Sequence, residues 1–209
     1  MTIAALVAAT AAAAAPISEE ADGGRQSLIA TAVEKAAASA SQPAAFAPPR
    51  VIWEGADIDS DGRPDFANPT GNAPRTHDAY GEGEFGASRD GGARKHEGVD
   101  FIAHAGQDVL APISGYVTKI GYAYPGERSL KFVEITNPAL HYSARVFYVN
   151  PKVDVGEPVA VGRPIGTARS LQRKYPGGMT DHVHLEVMDG AGQRFSAAKV
   201  ITEQYATAD

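Results

Sequence analysis

The chain has 209 residues, enough for one ordinary domain and a tail but not for two large domains. Hydrophobic residues make up 44% and charged residues 21%, as in globular proteins, and the formal net charge of -6 argues against a nucleic-acid binder, which carries a basic field. There is no cysteine, which excludes disulfides, thiolate catalysis and cysteine-ligated zinc.

Residues 1–15, MTIAALVAATAAAAA, are apolar and end in small residues before Pro16. They read as the apolar core and Ala-x-Ala end of a secretory signal, although no Lys or Arg precedes the apolar run. An extracytoplasmic location, periplasmic or secreted, is expected. No membrane span is expected, because the run falls short of the ~20 residues that cross a bilayer. Residues 16–50 are rich in Ala, Ser and Pro and read as a disordered tail and linker, with a short, weakly amphipathic helix over 25–39.

Residues 51–93 read as a loop-rich lead-in with scattered aromatics. Within it, Asp57, Asp59, Asp61 and Asp65 occupy positions one, three, five and nine of a turn with Gly62 at six. That is the oxygen spacing of a calcium loop, but position twelve is Asn68 where a bidentate Glu would stand. The alternatives are a calcium site that orders the lead-in and a plain acidic turn.

From His96 onward the texture changes to short apolar runs between turn residues: GVDFIA, VLAPISGYVTKIGYA, KFVEIT, ARVFYV, EPVAVGRPIGTA and HVHLEVM. None keeps a helical period over three turns. The expectation is an all-β protein with a single compact antiparallel domain over 94–205, its sheet coiled or barrel-like and bearing a groove. Gly115, Gly121, Gly156, Gly162 and Gly166 suit its tight turns and bulges.

Two pairs of residues carry candidate chemistry. His182 and His184 lie two apart in an alternating stretch, so in a strand both imidazoles share a face. His96 and Asp100 lie four apart, and extension at Gly98 and Val99 puts them on one side as well. Each pair alone is most simply a polar strand face. Together they offer nitrogen and carboxylate ligands, and two nitrogens with one oxygen leave the fourth position of tetrahedral zinc open, as in catalytic sites. His77, His104 and His141 match no such pattern.

HEGVD at 96–100, APISGYV at 111–117, VGEPVAVGRPIG at 155–166 and DHVHLEV at 181–187 together resemble the lysostaphin-type (LytM-like) zinc endopeptidases. The resemblance implies one zinc ion held by His96, Asp100 and His184, with His182 handling protons and a peptidoglycan peptide as substrate. It implies a further histidine on the strand reading ARVFYV, where this chain has Tyr148, or Val149 if the register slips by one. Tyr148 then either donates a hydrogen bond to the developing oxyanion, as a protonated phenol can, or simply fills the groove. Residues 147–187 are similar to the leukocyte cell-derived chemotaxin branch of the same fold. That branch implies a zinc-bound module without catalysis, binding peptidoglycan or a partner protein. A related amidase or carboxypeptidase is a further reading. Tyr175, in the YPGG loop before the second histidine pair, is a candidate substrate contact. Arg94 and Lys95 either meet a stem-peptide carboxylate or are solvated surface.

Overall fold

A computed structural model describes residues 50–206. The expected export segment and the expected short helix fall outside these residues. In chain order the strands are β1 (Arg50–Gly55), β2 (His77–Asp78), β3 (Gly81–Glu82), β4 (Ser88–Arg89), β5 (Arg94–Lys95), β6 (Val99–Ile102), β7 (Asp108–Leu110) and β8 (Gly115–Tyr124). They continue with β9 (Glu127–Asn137), β10 (Tyr142–Pro151), β11 (Pro158–Val159), β12 (Pro164–Ala168), β13 (His182–Met188), β14 (Arg194–Phe195) and β15 (Ile201–Ala206). Two single 3-10 turns, Asp90–Gly92 and Ala197–Lys199, are the helical elements among the described residues. None of these is long and apolar enough to cross a membrane.

Nine strands form one antiparallel sheet. Its main path runs β11, β8, β9, β10, β12, β7, and β13 branches from β10 to carry β6 and β14. The long strands β8, β9 and β10 alternate β-branched and aromatic residues with polar ones, which suits a pleated surface with one buried face. Val117, Val133, Ile135, Val146, Val183 and Leu185 make up much of that face, each at most 1% exposed. The core therefore lies on one side of the sheet, and the side chains between these residues project to the other. The expected antiparallel all-β domain with a coiled sheet is observed.

The branch has a local cause. The edge of β10 pairs with β13 from Ser143 to Phe147 and with β12 from Val149 to Pro151. Tyr148 falls between the two partners. On the opposite edge the register against β9 also shifts between Phe147 and Val149. Tyr148 is thus the extra residue of a β-bulge, with φ at 67°.

The segment 51–93 contributes more than the loops expected of it. β1 pairs along its whole length with β15, from Arg50 opposite Ala206 to Gly55 opposite Ile201. Phe66 bridges to Ile113 and is 1% exposed in the core.

Candidate metal centre

β6 and β13 are antiparallel neighbours with Asp100 directly opposite His184 and Ile102 opposite His182. Directly opposed residues share a face of the sheet, so this register brings the carboxylate beside the imidazole. Strand alternation places His182 on the same face, while Val183 and Leu185 enter the core. His96 arrives from the chain before β6, its backbone N–H donating to the Ala87 carbonyl and its carbonyl accepting from Gly86. Gly98 allows this approach. A Cβ there would lie 2.7 Å from the His184 ring and 2.4 Å from the Leu185 carbonyl oxygen.

The three donor atoms converge. His184 Nδ1 lies 2.9 Å from Asp100 Oδ1 and 2.9 Å from His96 Nε2, and His96 Nε2 lies 3.1 Å from Asp100 Oδ1. His96 Nδ1 faces the Glu84 carbonyl at 2.7 Å. A carbonyl only accepts, so Nδ1 carries the proton and Nε2 presents its lone pair to the cluster. One divalent cation would satisfy these converging acceptors together, and His96, Asp100 and His184 form a group able to hold a metal ion. The donor set fits such an ion.

His182 stands just outside the triangle, its Nε2 3.6 Å from Asp100 Oδ1. Its Nδ1 donates to the Thr180 carbonyl at 2.7 Å, which leaves Nε2 unprotonated in the neutral ring. Burial pushes its pKa down, only partly countered by Asp100. Burial works against charge on Asp100 too, yet the imidazoles of His184 and His96 against it hold its carboxyl well below the ordinary range. Burial opposes the charged form of His184, but the bond to Asp100 and then Glu186 push it up.

Several residues of the site were not anticipated. Arg75 is buried, and its Nη2 donates to Asp100 Oδ2 at 2.7 Å while Nη1 bonds the Gly81 carbonyl and Asp78. Asp78 in turn accepts from the backbone N–H of Thr180, the residue whose carbonyl orients His182. Glu186 lies 3.6 Å from His184 Nε2 and pairs with Arg194. Strand periodicity could have found Glu186, two residues after His184. Arg75 has no such signal, since it comes from an irregular segment 25 residues before its partner.

These groups line a groove of about 420 Å³, in the range of small-ligand sites. Tyr80, Tyr124, Phe147, Tyr148 and Tyr175 form its aromatic walls. Tyr148 meets His182 edge to face with ring centroids 5.4 Å apart, and Tyr175 packs on Tyr80 at 5.3 Å. Val149, the other candidate for the strand position, is fully buried in the core. Elsewhere, His77, His104 and His141 are exposed. The acidic turn gathers Asp57, Asp59 and Asp61 into one exposed group. Asp65 stays outside that group, accepting from the N–H groups of Ile58 and Asp59 to close the loop. Asn68 is buried and holds the turn at Thr70–Gly71.

An antiparallel β domain whose groove gathers two imidazoles and a carboxylate around one point, with a third imidazole beside them, has a candidate metal centre of the kind that metal-dependent hydrolases carry. The profile of Peptidase family M23 matches residues 94–196. Leukocyte cell-derived chemotaxin-2 of Mus musculus is 32% identical over 130 residues, covering 60% of this chain and 80% of that protein. The Bos taurus protein of the same name is 30% identical over 124 residues, covering 59% and 78%. Among solved structures, the antimicrobial peptidase lysostaphin from Staphylococcus simulans superimposes with a TM-score of 0.45 at 22% identity, covering 59% of this chain and 49% of that one. The chain belongs to peptidase family M23.

Proposed function

We propose that the chain is a zinc-dependent endopeptidase that hydrolyses peptide bonds of peptidoglycan cross-links or stem peptides, acting outside the cytoplasm. The peptidase-like domain would run over residues 94–205, preceded by the lead-in at 51–93. The observation that carries this reading is the convergence of His96 Nε2, Asp100 Oδ1 and His184 Nδ1 beside His182 in an aromatic groove.

Two nitrogens and one oxygen with an open fourth position is the pattern of catalytic zinc, so His96, Asp100 and His184 are assigned as ligands. Zinc held there would lower the pKa of a bound water toward ~7 and polarise the scissile carbonyl. His182 Nε2, free of a proton because Nδ1–H is committed to Thr180, accepts the water proton and delivers it to the leaving amine. The Tyr148 hydroxyl donates to the carbonyl oxygen as charge grows on it. Burial holds the Tyr148 pKa above that of an ordinary phenol, which keeps the donor protonated. Tyr175 contacts the peptide at the rim.

The test is digestion of purified peptidoglycan with analysis of new amine ends. His182→Ala should lose cleavage and keep its zinc, whereas His184→Ala should lose both. Cleavage by His182→Ala at the normal rate would overturn the assignment.

A second reading, a zinc-bound module that binds peptidoglycan or a partner protein without cleaving, is favoured by one observation: Tyr148 holds the strand position where the resemblance implies histidine. Zinc near one per chain without new amine ends would support it. We also propose that Asp57, Asp59 and Asp61, with Asp65 closing the turn, bind calcium. Calorimetric titration of the full chain showing no calcium uptake would remove that proposal.

A further inference from the structure

Tyr148 is held in a backbone conformation that a tyrosine seldom adopts. A non-glycine residue in the left-handed region costs about 1–3 kcal/mol unless its surroundings over-determine it. Three contacts do so here. The Tyr148 carbonyl accepts from the Arg169 N–H at 2.7 Å. Its ring packs with Leu130 and Leu171 and is 9% exposed. Its hydroxyl lies 2.6 Å from the hydroxyl of Tyr124.

That last contact has a direction. A phenol has one proton to give and lone pairs to accept with. If Tyr148 donates to Tyr124, its proton is spent and it faces the groove as an acceptor. If Tyr124 donates, the Tyr148 proton stays free for the groove. The Lys174 ammonium lies 4.6 Å from the Tyr124 ring centroid. A cation over a ring face draws electron density from it and makes the phenol the better donor. Accepting that bond in turn strengthens Tyr148 as a donor, since linked hydrogen bonds polarise one another.

We propose that Tyr124, at the end of β8, is a positioning residue that donates to Tyr148 and so commits the Tyr148 proton to the groove. The pair does jointly what the implied histidine would do alone, with Lys174 setting the polarity of the chain. The consequence for turnover rests on the endopeptidase reading; the pair itself does not.

Tyr124→Phe removes the hydroxyl and keeps the ring beneath Lys174. In the zinc-loaded full chain it should lower kcat about tenfold, with KM within about twofold, because the lost interaction acts in the transition state. Tyr148→Phe should lower kcat by roughly 10²-fold, the loss of one oxyanion donor. The double variant should be no slower than Tyr148→Phe alone, because one side chain acts only through the other. Multiplying losses, or an unchanged kcat in Tyr124→Phe, would overturn the proposal. Lys174→Gln, at an exposed position, should move kcat the same way by less. A readout independent of turnover is the ring 13Cζ resonance of Tyr148, which reports the hydrogen bonding of its oxygen. Tyr124→Phe should shift it in folded protein in the sense of a lost accepted bond; a shift in the opposite sense, that of a lost donated bond, or an unmoved resonance would overturn the proposal. Should the wild type cleave nothing, the endopeptidase reading fails while this resonance still decides whether Tyr124 donates.

Discussion

Asp100 turns one carboxylate oxygen to the candidate metal position and the other to a buried guanidinium. Oδ1 faces His96 and His184, while Oδ2 accepts from Arg75 at 2.7 Å. Arg75 fixes which oxygen is turned toward the cluster. Removing one partner of a buried ion pair costs roughly 3–5 kcal/mol, because the other charge is left without compensation. Arg75→Met should therefore lower unfolding free energy by about 3 kcal/mol in denaturant titration. It should also weaken zinc binding roughly 10–100-fold, the usual effect of losing a group that orients a ligand. Unaltered zinc affinity in a folded Arg75→Met protein would show that Asp100 needs no such support. His182 and His184 were legible in the sequence because strand alternation is a local rule that HVHLEV spells out. Arg75 and Glu84 were not, since one acts across a fold contact and the other through a backbone carbonyl, which any residue supplies.

At the scale of elements, the centre depends on the close fit of β6 against β13. Gly98 lies just before β6, where a Cβ would meet the His184 ring and the Leu185 carbonyl. The backbone oxygen cannot swing aside as a flexible side chain could. Gly98→Ala should cost about 1–3 kcal/mol, as overpacking does, and should remove the rise in melting temperature that zinc gives the wild type. A full zinc response in Gly98→Ala would mean that β6 tolerates a wider spacing. The bulge at Tyr148 marks where sequence reading loses its grip. Strict alternation along ARVFYV cannot put Val146 and Val149 in the core while two consecutive aromatics face outward. One inserted residue permits it, and the branch between β12 and β13 leaves room for that residue. The insertion turns Val149 into the core, which leaves Tyr148 as the residue on the groove side.

Across the whole molecule, the candidate ligands come from two stretches 84 residues apart, joined through the sheet that also carries the core. The unfolded chain cannot present that triangle, so zinc should bind the native state alone. Ligand at a thousandfold excess over Kd adds about 4 kcal/mol of stability, and a domain of this size gains roughly 2–4 °C per kcal/mol. Zinc should therefore raise the melting temperature by roughly 10 °C, and a chelator should reverse the rise. The all-β class and the order of the strands after His96 were readable because short β-branched runs between turn residues form a local pattern. The pairing of β1 with β15 was not, since those partners stand at opposite ends of the described chain and neither states its register.

The most direct measurement is X-ray absorption at the zinc edge on purified full chain, beside the same spectrum for His184→Ala. Ligation by His96, Asp100 and His184 requires one zinc per chain with two imidazole nitrogens, one carboxylate oxygen and one exchangeable light ligand, and loss of that ion in His184→Ala. Zinc bound through a shell without imidazole, or zinc retained unchanged in His184→Ala, would contradict it.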